Sequence, residues 1–251
     1  MNFDPSSQAG KLRLALFLTP PHPCGYLNDL MASTLFVDPH YTMTVATYRY
    51  LLERGFRRSG SQVYRPYCGS CQACIPARIP VDSFKLGRSF RRVWKKNQDL
   101  QSSNCEPGYT EERFALYQSY LGTRHDEGPM ANPSPDDFIR FLGCGWGETQ
   151  FIEFRLQGRL VMVSVIDQQP DSLSAVYAYF DPALSYRSLG TYSILWEVER
   201  AKREGKKWLY LGYWVEDCQK MSYKARFHPL ELYRQQKWGL MTREESASTS
   251  S

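Results

Sequence analysis

The sequence lacks an apolar run long enough to cross a bilayer, which needs about 18–20 residues. Its best candidate, Leu12 to Leu18, is broken by Arg13 and followed by Pro20 and Pro21. No small-residue cleavage site follows that run, which argues against a secretory signal. The expected setting is therefore cytoplasmic, with no membrane partner. A disulfide framework is missing too. The 7 cysteines are an odd number, and Cys68, Cys71 and Cys74 crowd together. Without a secretory signal, that spacing speaks for metal or cluster chemistry. There is no internal repeat, no long linker and no convincing pairing of a nucleophile with a base. Charge of one sign is not in large excess: a net charge of +5 does not by itself argue a polyanionic partner.

What is present is ordinary for a globular chain. The 251 residues, 42% hydrophobic and 23% charged, suffice for one large domain or two small ones. Met43 to Arg54 reads as a helix, with Val45, Tyr48 and Leu52 at helical spacing and Gly55 as its cap. Gln62 to Arg65 and Ala77 to Val81 read as short strands around the cysteine loop, and Arg88 to Leu100 as a second helix. Glu106-Pro107-Gly108 is a break. It divides an expected N-terminal domain, 16–104, from a C-terminal one, 105–240, ahead of a disordered tail, 241–251. The first fifteen residues also read as loose.

In the C-terminal half, Glu111 to Arg124 reads as a helix, and Ser134-Pro135-Asp136-Asp137 as a capped helix start. Gln157-Gly158 joins the hairpin strands Thr149 to Leu156 and Arg159 to Asp167. Ser174 to Phe180 is a third strand, Ser188 to Glu204 a long helix, and Lys207 to Leu211 a further strand. This order is α+β, with helices packed on a mostly antiparallel sheet. It is also the element order of the GNAT-like acyltransferase core, here preceded by a smaller, Cys-containing α/β region.

Lys85, Arg88, Arg91, Arg92, Lys95 and Lys96 fall close together with no acid among them. On a helix, Arg88, Arg92, Lys95 and Lys96 share one side, with Phe90, Val93 and Trp94 on the other. Such a face meets phosphates, and its binding weakens steeply with salt. Arg54, Arg57 and Arg58 are counted with this charge. In the cysteine loop, three thiolates at Cys68-x-x-Cys71-x-x-Cys74 suit zinc with a fourth ligand, or an iron–sulfur cluster with one remote cysteine. Cys24 is the best remote candidate and His22 the second.

The ordered motifs resemble a known family. They are Pro23-Cys24-Gly25-Tyr26, Gly55-Phe56-Arg57-Arg58-Ser59-Gly60, Tyr64-x-Pro66-x-Cys68-x-x-Cys71 and Ser89-Phe90-Arg91-Arg92 in the first half. In the second half they are Tyr179-Phe180-Asp181-Pro182, Ser188-Leu189-Gly190, Tyr210-Leu211-Gly212-Tyr213 and Cys218-x-x-Met221-x-Tyr223-Lys224-x-Arg226-Phe227. Together they resemble the arginyl-tRNA–protein transferases, most of all the bacterial aspartate/glutamate leucyltransferase branch. One departure is Cys24-Gly25-Tyr26-Leu27, where eukaryotic members pair two cysteines; Cys74 is then the replacement ligand.

The resemblance implies transfer of leucine from leucyl-tRNA to the α-amine of proteins that begin with Asp or Glu, marking them for N-degron degradation. An arginyl-tRNA donor is the alternative. The ester is already activated, so no cofactor is required for the chemistry; zinc or a cluster at Cys24, Cys68, Cys71 and Cys74 would be structural or regulatory. The tasks are positioning, proton removal and charge stabilisation. Asp181 is the expected base, and Tyr179, Tyr213 and Tyr223 are candidates to bond the carbonyl oxygen or relay the leaving proton. Ser188, Leu189 and Gly190 open a helix whose N–H groups receive an oxyanion or phosphate. Lys224, Arg226 and Arg187 are candidates to pair with the acidic side chain or the tRNA end. Arg88, Arg91, Arg92, Lys95 and Lys96 are expected to hold the tRNA. His125 is a further base candidate.

Two other functions fit parts of the pattern. An acetyl-CoA-dependent N-acetyltransferase grips pyrophosphate with Arg/Gln-x-x-Gly-x-Gly/Ala, and Arg187 to Gly190 satisfy the first part. Tyr192 fails the last, where a small residue is needed. A non-enzymatic, metal-stabilised RNA-binding protein accounts for the cysteine loop and the basic helix, but not for the second half.

Overall fold

A computed structural model of the protein describes residues 14–124, 133–242 and 245. His125 lies outside the described residues, as do most of the expected loose start and tail.

The chain opens with β1 (Leu16–Leu18), the small β2 (His22–Pro23) and β3 (Met31–Ala32) pair, and β4 (Thr34–Val37). Helix α1 (Val45–Leu52) follows, capped by Thr44, whose side chain accepts from the Thr47 N–H. Gly55, at φ 84°, takes the left-handed position after it, where a side chain would be strained. Next come β5 (Arg57–Ser59) and β6 (Gln62–Pro66). These strands form an antiparallel sheet in the order β1-β4-β6-β5.

The main sheet has eight strands, and the N-terminal half supplies two of them. They are β7 (Ile75–Pro80) and β8 (Gln101–Cys105), with α2 (Arg88–Lys96) between. After α3 (Glu111–Arg124) and α4 (Pro135–Leu142) come β9 (Glu148–Leu156), β10 (Arg159–Gln168) and β11 (Ser172–Phe180). Helix α5 (Leu189–Arg203) crosses to β12 (Trp208–Trp214). A short α6 (Gln219–Ser222) precedes the hairpin of β13 (Glu231–Arg234) and β14 (Lys237–Leu240). The strand order is β14-β13-β7-β12-β11-β10-β9-β8.

The expected boundary at 104/105 therefore does not separate two structural units. β7 sits between β13 and β12, and β8 closes the far edge of the same sheet. Burial explains why: Ala77 and Ile79 of β7 are fully buried in the main core with Leu209 and Leu232. Tyr210 of β12 in turn packs in the N-terminal cluster of Tyr48, Leu52, Phe56 and Val63. The tail boundary at 241 also moves, because Met241 is buried and its N–H donates to the Leu230 carbonyl at 2.8 Å.

The α+β expectation holds, with helices on a sheet that is antiparallel apart from one pairing. β11 and β12 run parallel, and they pair only at Ser172–Trp208, Leu173–Leu209 and Ser174–Tyr210. Beyond that point β11 stays bonded to β10 as far as Phe180, and β12 stays bonded to β7 as far as Trp214. The two strands thus part while each keeps its outer neighbour. Bulges drive the separation. Val176 is the extra residue of β11 opposite Val165 and Ile166, and Leu211 that of β12, beside Gly212 at φ 78°. A bulge bends its strand and increases the twist. The result is an opening at the centre of the sheet, roofed by the first turns of α5.

Candidate active site

The opening is a cavity of about 710 Å³. Its walls come from Ala175 to Ala178 and Phe180 of β11, Leu211 to Tyr213 of β12, and Ser188 to Thr191, Ser193, Ile194 and Glu197 at the start and along one face of α5. Arg57 and Arg58 of β5, with Tyr26, Tyr48 and Tyr64, close the N-terminal side; Tyr223 and Lys224 close another.

The ionisable groups around it have different partners. Arg58 is buried and paired in a bidentate manner with Asp167 at 2.6 Å, and Asp167 also accepts from Thr149 at 2.8 Å. A buried charge needs such a partner. Arg57 has none. Its Nη1 donates to the carbonyls of Phe56 (2.6 Å) and Leu52 (3.4 Å), its Nη2 to that of Gly212 (3.4 Å), and its Nε has no partner among the described residues. Lys224 is 4% exposed, and among the described residues its Nζ has only the Met221 sulfur at 3.5 Å and the Tyr223 ring. Burial pulls its pKa down to about 7; Cys218 opposes the shift and the Arg57 guanidinium adds to it. The Arg57 guanidinium and the Lys224 amine, which is about half protonated at pH 7, thus share one cavity with no carboxylate paired to either among the described residues.

Glu197 lines the α5 wall. Its Oε1 accepts from Ser164 at 2.5 Å and Ser193 at 3.0 Å, while Oε2 is buried without a partner among the described residues. Burial pushes the carboxyl up to about 7, against both serine hydrogen bonds and the charge of Arg200.

Several expected site residues have other duties. Asp181 does not line the cavity. It caps the turn 182–187 through the Ala183 N–H at 2.9 Å and pairs with Arg159 at 2.6 Å. Its placement after β11 suggested a ligand-facing base, but Pro182 commits it to the cap. Tyr179 points into the core among Tyr117 and Phe138, away from the cavity. Tyr213 lines the cavity, yet its hydroxyl donates to the Gly55 carbonyl at 2.9 Å. Arg187 is clamped by Asp99 at 2.8 and 2.9 Å, which pushes its pKa up. Arg226 is exposed beside the Phe90 ring. Ser188, Leu189, Gly190, Tyr223 and Lys224 line the cavity. The first-turn N–H groups of Leu189 and Gly190 have no acceptor within the helix, as geometry requires. Gly190 lies so close to Phe180 that a Cβ would meet its ring at 3.1 Å.

Helix α2 has the expected two faces. Arg88, Arg91, Arg92, Lys95 and Lys96 are exposed, while Phe90 is buried and Trp94 stacks near Tyr192 of α5. Its C-terminal end is tied to the entrance of α5: Lys96 Nζ donates to the Tyr186 carbonyl, and Asn97 Nδ2 to that of Arg187, both at 2.9 Å. The basic face therefore adjoins the cavity mouth. Arg57 and Arg58, counted with this charge from sequence, are buried and belong to the cavity instead.

The cysteines gather without forming a ligand set. Burial, then Cys24, Cys68, Cys71 and Cys218 together, push the Cys74 thiol up to about 12. Cys68 points to the Ser33 carbonyl at 3.8 Å, and Cys71 and Cys24 accept from nearby backbone N–H groups at 3.5 Å. Among the described residues, no group of three or more His, Cys, Asp or Glu side chains is arranged to hold a metal ion. Among the described residues, the thiols as placed do not fit zinc or a cluster.

Residues 22–92 match the family described as arginine-tRNA-protein transferase, N terminus, and residues 112–234 match its C terminus. The aspartate/glutamate leucyltransferase of Nitrosococcus oceani is 50% identical over 226 residues, covering 90% of this chain and 95% of that protein. That of Stutzerimonas stutzeri is 49% identical over 226 residues, with 90% and 96% covered. That of Alcanivorax borkumensis is 48% identical over 225 residues, with 90% and 93% covered. Among solved structures, the C-terminal domain of a putative lysylphosphatidylglycerol synthetase from Agrobacterium fabrum aligns at 12% identity, TM-score 0.48, over 70% of this chain and 62% of that one. Both halves of the family pattern are met in order, and the relatives match nearly end to end: the chain belongs to the arginine-tRNA-protein transferase family and is a transferase.

Proposed function

We propose that the protein transfers leucine from leucyl-tRNA to the α-amine of proteins beginning with Asp or Glu, and that the cavity between β11 and β12 is where it does so. The observation that carries this reading is the pair of buried basic groups, the Arg57 guanidinium and the Lys224 amine that an incoming anion would protonate, with no carboxylate of their own among the described residues. Buried charge is stable only when matched. An acceptor with a side-chain carboxylate at its first residue brings the missing anion. The same cations disfavour a guanidinium beside them, which favours leucine over arginine as the transferred group. The names of the relatives, which are leucyltransferases for aspartate and glutamate, agree.

The geometry supports the following chemistry. The exposed face of α2 takes the phosphates near the acceptor end of the tRNA and delivers the ester to the cavity mouth. The amine attacks the ester carbon, and the developing oxyanion meets the open N–H groups of Leu189 and Gly190, at the positive end of α5. The ribose hydroxyl departs and an amide remains. An α-amine titrates near 7.7–8.0, so a weak base suffices. The product carries a new N-terminal leucine, which in this reading marks the protein for N-degron degradation in the cytoplasm.

The test supplies labelled leucyl- and arginyl-tRNA with peptides starting in Asp, Glu, Lys and Ala. Leucine should pass to the Asp and Glu peptides only. Transfer of neither amino acid to an acidic peptide rejects the reading; transfer of arginine alone replaces the donor.

A further inference from the structure

Resting on the transfer reading, we propose that Glu197 takes the proton from the attacking α-amine and returns it to the departing ribose oxygen. In this step the amine nitrogen bonds to the ester carbon and the carbon–oxygen bond to the ribose breaks. One proton leaves nitrogen for Glu197 and then reaches the ribose oxygen, so the side chain ends as it began. No co-reactant is needed.

The placement supports the role. Gly190, Ser193, Ile194 and Glu197 recur at three- and four-residue spacing, so one face of α5 lines the cavity from its mouth inward. The Glu197 side chain leans toward the helix start, as its bond to Ser193 at 3.0 Å shows. That brings the carboxyl to the level of residue 193, about one turn, or roughly 5 Å, beneath the open N–H groups. An amine attacking an ester whose oxygen rests on those groups lies between the two. Both serine hydroxyls are spent on Oε1, which leaves Oε2 as the atom without a partner. A fully buried carboxyl oxygen without a partner among the described residues is costly in a structure, and the residue that carries it lines the cavity.

The surroundings also suit the exchange. Arg200, held by Glu204 and Gln150, is the charge that acts on Glu197. β10 presents Ser164, β12 presents Leu211, and α2 turns Phe90 and Trp94 rather than its cations toward α5. The turn 81–83 packs Val81 against α5 and keeps Asp82 outside. Lys224, on another wall, is not among the groups that shift Glu197. With its pKa near 7, Glu197 is matched to an amine that titrates at about 7.7–8.0.

The experiment is single-turnover leucyl transfer to an Asp-starting peptide from pH 5.5 to 9, for wild type, Glu197→Gln and Glu197→Asp. Wild type must lose two protons to react, one from the amine and one from Glu197, so its log rate climbs with a slope near two on the acid side. Glu197→Gln should be slower at pH 8 by on the order of 10²-fold. Its acid slope should fall to one, with the KM for leucyl-tRNA unchanged and Glu197→Asp in between. A Gln variant within threefold of wild type, or a slow one that keeps a slope of two, overturns the proposal. Should that variant not fold, Ser164→Ala decides. Losing a hydrogen bond to the carboxylate should move the acid limb to higher pH, and an unmoved limb overturns the proposal. Wild type that transfers nothing rejects the transferase reading itself, whereas active wild type with an indifferent Gln variant rejects only the role of Glu197.

Discussion

Replacing Lys224 with Met should make the protein more stable in acid while impairing it as an enzyme. The folded-state pKa of about 7 lies below the ordinary lysine value of 10.5. The folded protein therefore binds this proton less tightly than the unfolded chain. Stability from the neutral form is fully present above the unfolded pKa and is lost as pH falls toward 7. A gap of 3.5 pKa units corresponds to about 5 kcal/mol at 1.36 kcal/mol per unit, of which nearly all is felt at pH 6 and about 2 kcal/mol at pH 9. Methionine fits a similar volume and never ionises. Relative to wild type, Lys224→Met should thus gain about 3 kcal/mol more at pH 6 than at pH 9. Urea unfolding of both proteins at the two pH values measures this, and the difference between pH values cancels any change in packing. A stability difference independent of pH, or one larger at pH 9, would show that Lys224 is not an unpaired buried amine.

Other substitutions separate the remaining roles. Asp181→Asn weakens a cap and an exposed ion pair, so it should cost about 1 kcal/mol in urea unfolding. Single-turnover transfer should stay within threefold of wild type, and a loss near a hundredfold would return Asp181 to the mechanism. The double change Arg92→Gln with Lys95→Gln removes two exposed cations of α2. It should weaken tRNA binding and reduce the slope of log affinity against log salt by about 1–2, leaving unfolding by urea unaffected.

Patterns within one element were legible in the sequence. The capping box at Ser134 and Asp137 formed as read, and Gln157-Gly158 makes the hairpin turn with both residues at positive φ. Helix α3 begins at Glu111, as its periodicity said. Elements with no apolar alternation were not legible: β8 is the polar edge strand Gln-Ser-Ser-Asn-Cys, stabilised by its pairing with β9. The β13–β14 hairpin turns on Gln235-Gln236, which lacks the usual glycine or asparagine.

The candidate site was half legible for a related reason. Ser188 to Gly190 and Lys224 sit in motifs that a single stretch of sequence displays. Glu197 looked like one more charge on a long helix, and only the Ser164 contact from β10 shows that it faces inward. Arg57 and Arg58 are adjacent and chemically alike, yet one is neutralised by Asp167 and the other is left open. That distinction depends on a residue more than a hundred positions away. Asp181 misled because a strand-end acid next to proline serves equally as a cap.

The central claim is that the cationic end of the cavity reads the acceptor's acidic first residue. The most direct measurement compares kcat/KM for leucyl transfer to otherwise identical peptides beginning with Asp or Asn, in wild type and in Lys224→Met. Wild type should favour Asp by at least tenfold, and the Met variant should lose most of that preference through the Asp peptide alone. An undiminished preference for Asp in the variant would contradict the account.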